Sequence, residues 1–327
     1  MGSGLDLAHH EMPGLNGVQC VEKLIELIPT PYAAFVADDD YVVPSALYQC
    51  AAFLEENPEY SAAHGLGLLF SVLGDAPNGQ IKDAGYFRQP ILEGETASAR
   101  IAGLFQNYAV TLFSVKRSST WQNLYEDSAS IADWRRFGGE LLQCGRTAIA
   151  GKIKQLDCLH LVRQVHQPAQ ALTDNQNRQS NYSAINMSST STEDAFFWLA
   201  NPDWSKSYEK FHQLISDEMA SRDRICVNQA QILVKRFFWR YLADVINQQW
   251  NAKFRSEDTH LKPRITRVAR TLPGIQWVYQ KMRSTTGNSK VSRDVSIEAM
   301  IKISSTYHQD FMPIHRSITS SLEASVS

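Results

Sequence analysis

Apolar and polar positions follow two rhythms in this chain. From Val18 to Ile28 the apolar residues recur at three- and four-residue steps (Val18, Val21, Leu24, Ile25, Ile28), with Glu22, Lys23 and Glu26 between them. This spacing predicts an amphipathic helix, closed by Pro29 and Pro31. Tyr32 to Ala37 is apolar throughout, the pattern of a central strand buried on both faces of an α/β sheet, and it runs straight into Asp38, Asp39 and Asp40. Pro44 opens a second helix with Leu47, Cys50, Ala51 and Leu54 on one side, ending near Pro58. Tyr60 to Phe70 predicts another strand, broken by Gly65 and Gly67, and residues 74–95 a long polar loop or hairpin.

The alternation then repeats. A helix is expected from Glu95 through Leu104, a β-rich run over Tyr108–Lys116, a short helix through Trp121 and Leu124, and a helical segment over 133–149 stopped by Gly151. Lys154–Val165 predicts a strand with Leu156–Val162 as its apolar part. Residues 170–192 are dominated by Gln, Asn, Ser and Thr and read as a linker. The spacing over 193–250 is helical, residues 253–283 are basic, and the tail from Ser284 is polar. The organisation expected is therefore an α/β core over 1–170, a linker over 171–192, a helical region over 193–283 and a tail over 284–327.

Composition narrows the class. The 327 residues are 43% hydrophobic, enough for a sizeable core, and the net charge of −2 argues against wholesale nucleic-acid binding. Five scattered cysteines with no CxxC pair suggest neither a disulfide framework nor a structural zinc site, and a reducing cytoplasm fits them. No run of about 18 apolar residues predicts a membrane span, and no secretory signal is visible. His9, His10 and Glu11 lack the i, i+4 spacing of helical metal ligands and read as an exposed leader.

The acidic triplet carries the chemistry. If the strand continues to Asp40, Asp38 and Asp40 point to one side and Asp39 to the other. Two carboxylates aimed at one point suit a hard divalent cation, Mn2+ or Mg2+, which prefers oxygen ligands and bridges to phosphates. The same residues also suit a solvated turn that caps the helix at Pro44.

Thr30 to Leu47 resembles the central segment of GT-A glycosyltransferases, most closely the family-two-like enzymes, in which this strand ends in a D-x-D motif. The resemblance continues through Phe53–Pro58, Ala62–Gly65, Gly139–Leu142, Gly151–Lys152 and Leu161–His166, covering roughly residues 18–170. It implies a GT-A-like, Rossmann-related mixed sheet flanked by helices, followed by a mainly α-helical C-terminal region. Few residues precede the D-x-D strand, so the strands that bind the nucleotide base are not evident and the fold is expected to be N-terminally shortened.

The resemblance also implies roles. Asp38 and Asp40 would hold the metal with His166 as a third ligand, while Asp39 and Arg163 would meet the donor. Glu140 would be the general base that deprotonates the acceptor hydroxyl, with Glu126 and Asp127 as fallback. His64, Trp121 and Trp134 are weaker acceptor-site candidates, for which core packing is the alternative. The expected reaction is metal-dependent, inverting transfer of a sugar from a nucleotide-sugar donor to a saccharide or lipid-linked acceptor in surface glycan assembly. The alternative is a non-catalytic interaction protein built on a degenerate core. The location expected is cytoplasmic, with peripheral contact at the inner face of the membrane through the basic stretch 262–283.

Overall fold

The computed structural model describes residues 6–73, 78–164, 198–257 and 297–320. Helix α1 (Gly17–Glu26) starts at a reciprocal cap in which Asn16 and Gln19 each accept the other's backbone N–H. Strand β1 is only Tyr32–Ala33, and β2 is Asp40–Val42. Helix α2 (Pro44–Glu56) carries Pro44 in its first turn, where the missing N–H costs nothing. Strands β3 (Tyr60–Val72) and β4 (Ile81–Phe87) form an antiparallel pair. Helix α3 (Ala97–Gln106), β5 (Val115–Arg117) and α4 (Ser118–Tyr125) follow. A π-helix over Trp134–Leu141 runs into α5 (Leu142–Ala150), and β6 spans Lys152–Gln164. The C-terminal helices are α6 (Trp204–Asp223), α7 (Val227–Glu257), the single turn α8 (Ile297–Met300) and α9 (His308–Thr319).

The protein is mixed α/β. The sheet order is β1-β5-β3-β6-β2, with β4 also on β3; β3 and β6 are parallel and every other pair is antiparallel. One face is covered by α3, α5, α6 and α7, whose Ile101, Leu142, Phe211, Ile215 and Phe238 share one core with Ala62 and Leu161 of the sheet. The C-terminal helices thus complete the core of the α/β part. Asp223 at the end of α6 ties the two together by accepting the Ala97 and Ser98 N–H groups (2.7 and 2.8 Å) at the start of α3. On the opposite face, α9 packs Phe311, Ile314 and Ile318 against Leu68, Phe70 and Val162.

Three expectations are corrected. Tyr32–Ala37 is no central strand: only Tyr32 and Ala33 pair, with β5 at one edge, while β2 lies at the other edge. Phe35 leaves the strand to pack near Phe113, their ring centroids 6.0 Å apart, as the chain passes from one edge to the other. The β-rich run Tyr108–Lys116 yields only a three-residue strand, because the chain at Thr111–Ser114 is held in a turn (Ser114 N to Thr111 O, 3.2 Å). Gly65 and Gly67 do not break β3. A Cβ at Gly67 would lie 2.8 Å from the Phe87 ring, so this glycine lets β4 and its aromatic side chain close on the sheet. Residues 171–192 and 262–283, read as linker and basic stretch, lie outside the described residues.

Candidate functional site

The acidic triplet is divided by the backbone. Asp38 and Asp39 form a turn, closed by the Asp40 N–H on Ala37 O (3.2 Å), and Asp40 is the first residue of β2. The strand alternation that would aim Asp38 and Asp40 together therefore does not hold. Asp38 is exposed and Asp39 is half-buried. The Asp40 side chain is wholly buried and pairs with Arg163, its cross-strand partner on β6 (Nε to Oδ2, 2.8 Å). Burial pushes the Asp40 carboxyl up, to about 6, and Arg163 pulls it only partly back. Its other oxygen, Oδ1, has no hydrogen-bond partner among the described residues.

Arg163 is clamped as well as paired. Its guanidinium lies 4.2 Å from the Phe113 ring centroid and 5.0 Å from that of Phe87. Its two terminal nitrogens have no hydrogen-bond partner among the described residues. Because β3 and β6 are parallel and Arg163 stands opposite Leu69, the pair sits at the carboxyl end of both strands. A cavity of about 360 Å³ lies nearby, but Tyr41, Pro44, Asp310 and Pro313 line it, and neither Asp40 nor Arg163 does.

Glu140 lies elsewhere, in the π-helix. It is 2% exposed, accepts the Tyr108 hydroxyl on Oε1 (2.8 Å), and leaves Oε2 without a partner among the described residues. Burial pushes its carboxyl to about 8, with Tyr108 and Arg136 opposing. Tyr241, whose hydroxyl is buried and also without a partner among the described residues, has its ring centroid 4.9 Å from that of Tyr108. The surroundings of Glu140 are thus Tyr108, Tyr241, Cys144 and Arg136, while the charges acting on Asp40 are Arg163 and Asp39.

The remaining candidates separate. His64 is buried, its ring nitrogens 2.9 and 3.0 Å from Gly65 O and Pro90 O. Trp121 is buried and donates to Ala33 O (3.0 Å), so both residues pack the core instead of opening to an acceptor. Trp134 is half-buried beside α1 and under Arg135. Of the fallback acids, Glu126 and Asp127 follow α4 and flank Arg146 and Glu218. His166 lies outside the described residues. Among the described residues no three His, Cys, Asp or Glu side chains form a metal-binding group.

Sequence reasoning missed the clamp of Phe87 and Phe113, the tyrosines around Glu140, and a buried basic cluster. In that cluster Lys116 is fully buried, bonded to Thr111 O (2.6 Å) and Ser114 Oγ (3.0 Å), with its ammonium 4.3 Å from the Trp121 ring. His160 is buried with neither ring nitrogen partnered among the described residues. Tyr108 carried a signal, since it opens the β-rich run. The aromatic clamp carried none, because it is assembled from three distant strands and loops.

No protein-family model matches the chain, and no curated protein matches its sequence. Among the described residues no helix is long and apolar enough to cross a membrane.

Proposed function

We propose that the protein is a metal-dependent glycosyltransferase with a GT-A-like core. It would move a sugar from a nucleotide-sugar donor to a saccharide or lipid-linked acceptor, with inversion, in surface glycan assembly. One observation carries the reading: Asp40 and Arg163, 123 residues apart, meet at the carboxyl end of the parallel pair β3/β6 beside the exposed Asp38. Ligands of open α/β sheets bind outside the carboxyl ends of the strands. A guanidinium fixed by a carboxylate and two rings, with its terminal nitrogens uncommitted, is suited to a diphosphate.

The residues present fit Mn2+ or Mg2+. Such an ion is commonly held by one or two carboxylates together with substrate phosphates. The unpartnered Oδ1 of Asp40 is one such oxygen, and Asp38, exposed in the turn two residues before it, would have to swing towards it to give a second. When bound, the ion would neutralise the leaving diphosphate. Arg163 would orient the donor, whereas Glu140, buried in the π-helix with its carboxyl held up by burial, is not poised there to take the acceptor's proton.

The test is Asp38→Ala. Because Asp38 is exposed, this change leaves the fold intact, and transfer or donor hydrolysis with Mn2+ should fall at least tenfold; unchanged rates would overturn the metal role. A second reading, an interaction protein on a degenerate core, is favoured by the burial of Glu140, whose carboxyl is held protonated at neutral pH. Calorimetric titration with UDP- and GDP-sugars in Mn2+ separates the two, since absence of heat with every donor supports the second.

A further inference from the structure

We propose that the outer face of α7 docks on an anionic membrane surface. Helix geometry orders this face. At about 100° per residue, Ile232, Trp239 and Ala243 fall in one ridge. Lys235 flanks the ridge on one side, and Arg236 and Arg240 flank it on the other. All six residues are exposed, Ile232 by 60% and Trp239 by 43%. The opposite side of the helix (Ala230, Val234, Phe238, Tyr241, Leu242) is buried in the main core, so this orientation is fixed by packing.

Three features identify the partner. None of the three cations has an ion-pair partner among the described residues. One exposed carboxylate, Asp244, stands a turn beyond Arg240, so cations predominate on this face, whereas on the neighbouring outer surface of α6 Lys206 is outnumbered by the exposed Glu209 and Asp217. Second, the apolar ridge lies between the cations and not apart from them. A helix that rests in the headgroup layer has this section, with its ring and aliphatic side chains entering the acyl boundary and its basic residues reaching anionic phosphates from both flanks. Third, the Trp239 indole N–H already donates to the Tyr208 hydroxyl (3.1 Å), so the exposed part of the ring can enter an apolar layer without stranding a donor. A flat polyanion such as nucleic acid would engage the cations and leave Ile232 and Trp239 unused. The surface stands independently of transfer chemistry. If that chemistry holds, the face would keep the protein near a lipid-linked acceptor.

The test is co-sedimentation of the full chain with vesicles of phosphatidylcholine alone and with an added phosphatidylglycerol fraction. Binding is expected only to the anionic vesicles, falling as salt rises. Lys235→Glu/Arg236→Glu/Arg240→Glu should lower partitioning by well over tenfold, at about fivefold per cation removed. Ile232→Glu, which keeps every cation, should weaken it several-fold. Circular dichroism of each variant controls for folding, and Arg222→Glu, away from the face, serves as the charge control. The proposal is overturned if wild type ignores anionic vesicles or if Arg222→Glu weakens binding as much as the triple change. It is also overturned if Ile232→Glu binds vesicles as wild type does, which would leave a general polyanion site. None of these readouts depends on donor turnover.

Discussion

Asp40 and Arg163 face each other across the β2–β6 ladder at 2.8 Å, with the carboxylate wholly buried and the guanidinium held between Phe87 and Phe113. This is an ion pair inside an aromatic sleeve, and its geometry means that neither partner can be removed alone without leaving the other desolvated. Loss of one member of a buried pair typically costs about 3–5 kcal/mol, whereas loss of both into apolar residues is often close to neutral. Asp40→Ala should therefore destabilise by about 3 kcal/mol in urea titration, and Asp40→Ala/Arg163→Met should recover most of it. The Asp40 carboxyl is raised to about 6, so it is ionised at pH 7.5 and mostly protonated at pH 5. The coupling energy from the double-mutant cycle should be larger at pH 7.5. Additive losses at both pH values would show that the pair does not act as a unit.

Asp223 supplies a different kind of join. Its carboxylate takes two backbone N–H groups at the start of α3, which lower its pKa although burial opposes them. A cap of this kind is worth about 0.5–2 kcal/mol. Asp223→Ala should cost about that much and should lower the protection of α3 amides in hydrogen exchange more than that of β3. Because the folded pKa is depressed, the contribution is complete above the unfolded value and is lost as the pH falls below it. The difference from Asp223→Ala should accordingly shrink in acid.

Much of the layout was legible in the chain. The three- and four-residue apolar spacing of α1 and α2, the prolines at their expected ends, and the long apolar runs of β3 and β6 all reflect local rules that tertiary packing left intact. What was illegible depended on contacts far apart in sequence. Tyr32–Ala37 has the composition of a central strand, yet only two residues pair, because Phe35 is drawn to Phe113 and the chain crosses to the other edge. The triplet was recognisable as chemistry, but its partner was not, since the register that sets Asp40 opposite Arg163 forms only when β2 and β6 pair. Glu140 was picked out by motif, and its burial behind Tyr108 and Tyr241 follows from α7, whose sequence carries no reference to it.

Glu140 makes a pH prediction of the opposite sign to Asp223. Its carboxyl is raised from 4.5 to about 8 by burial, so the unfolded chain releases a proton that the folded chain keeps. Its contribution to stability is complete below pH 4.5 and is lost as the pH rises through 8. Each unit of that displacement corresponds to about 1.4 kcal/mol. Glu140→Gln keeps the shape and cannot ionise. The stability of wild type relative to this variant should decline steadily between pH 5 and 8.5 in thermal melts run in matched buffers. A constant difference would mean that water reaches the carboxyl.

Lys116 and His160 set the acid side of the profile. Burial lowers Lys116 from 10.5 to about 7, and burial with the nearby His64 and Lys116 lowers His160 from 6.5 to about 3. His64 is lowered too, chiefly by burial. For depressed bases the sign is that of an unfolded state that binds protons first. Lys116 therefore subtracts stability as the pH falls from 10.5 to 7, and His160 does so as it falls from 6.5 to 3. His160 has no hydrogen bond to lose among the described residues, so His160→Phe should be nearly neutral at pH 8 and stabilising at pH 5. Lys116→Met frees Thr111 O from the ammonium, but Ser114 Oγ still donates to that carbonyl (2.5 Å). The lysine variant should gain at least about 1 kcal/mol at pH 6, where the protonated ammonium would otherwise be buried without a counter-charge. The two changes should each broaden the pH range of the folded protein, but not additively, because Lys116 is among the charges that lower His160. Melting temperatures followed from pH 4 to 9 decide it: an acid limb unchanged in His160→Phe would place the acid sensitivity in some other group.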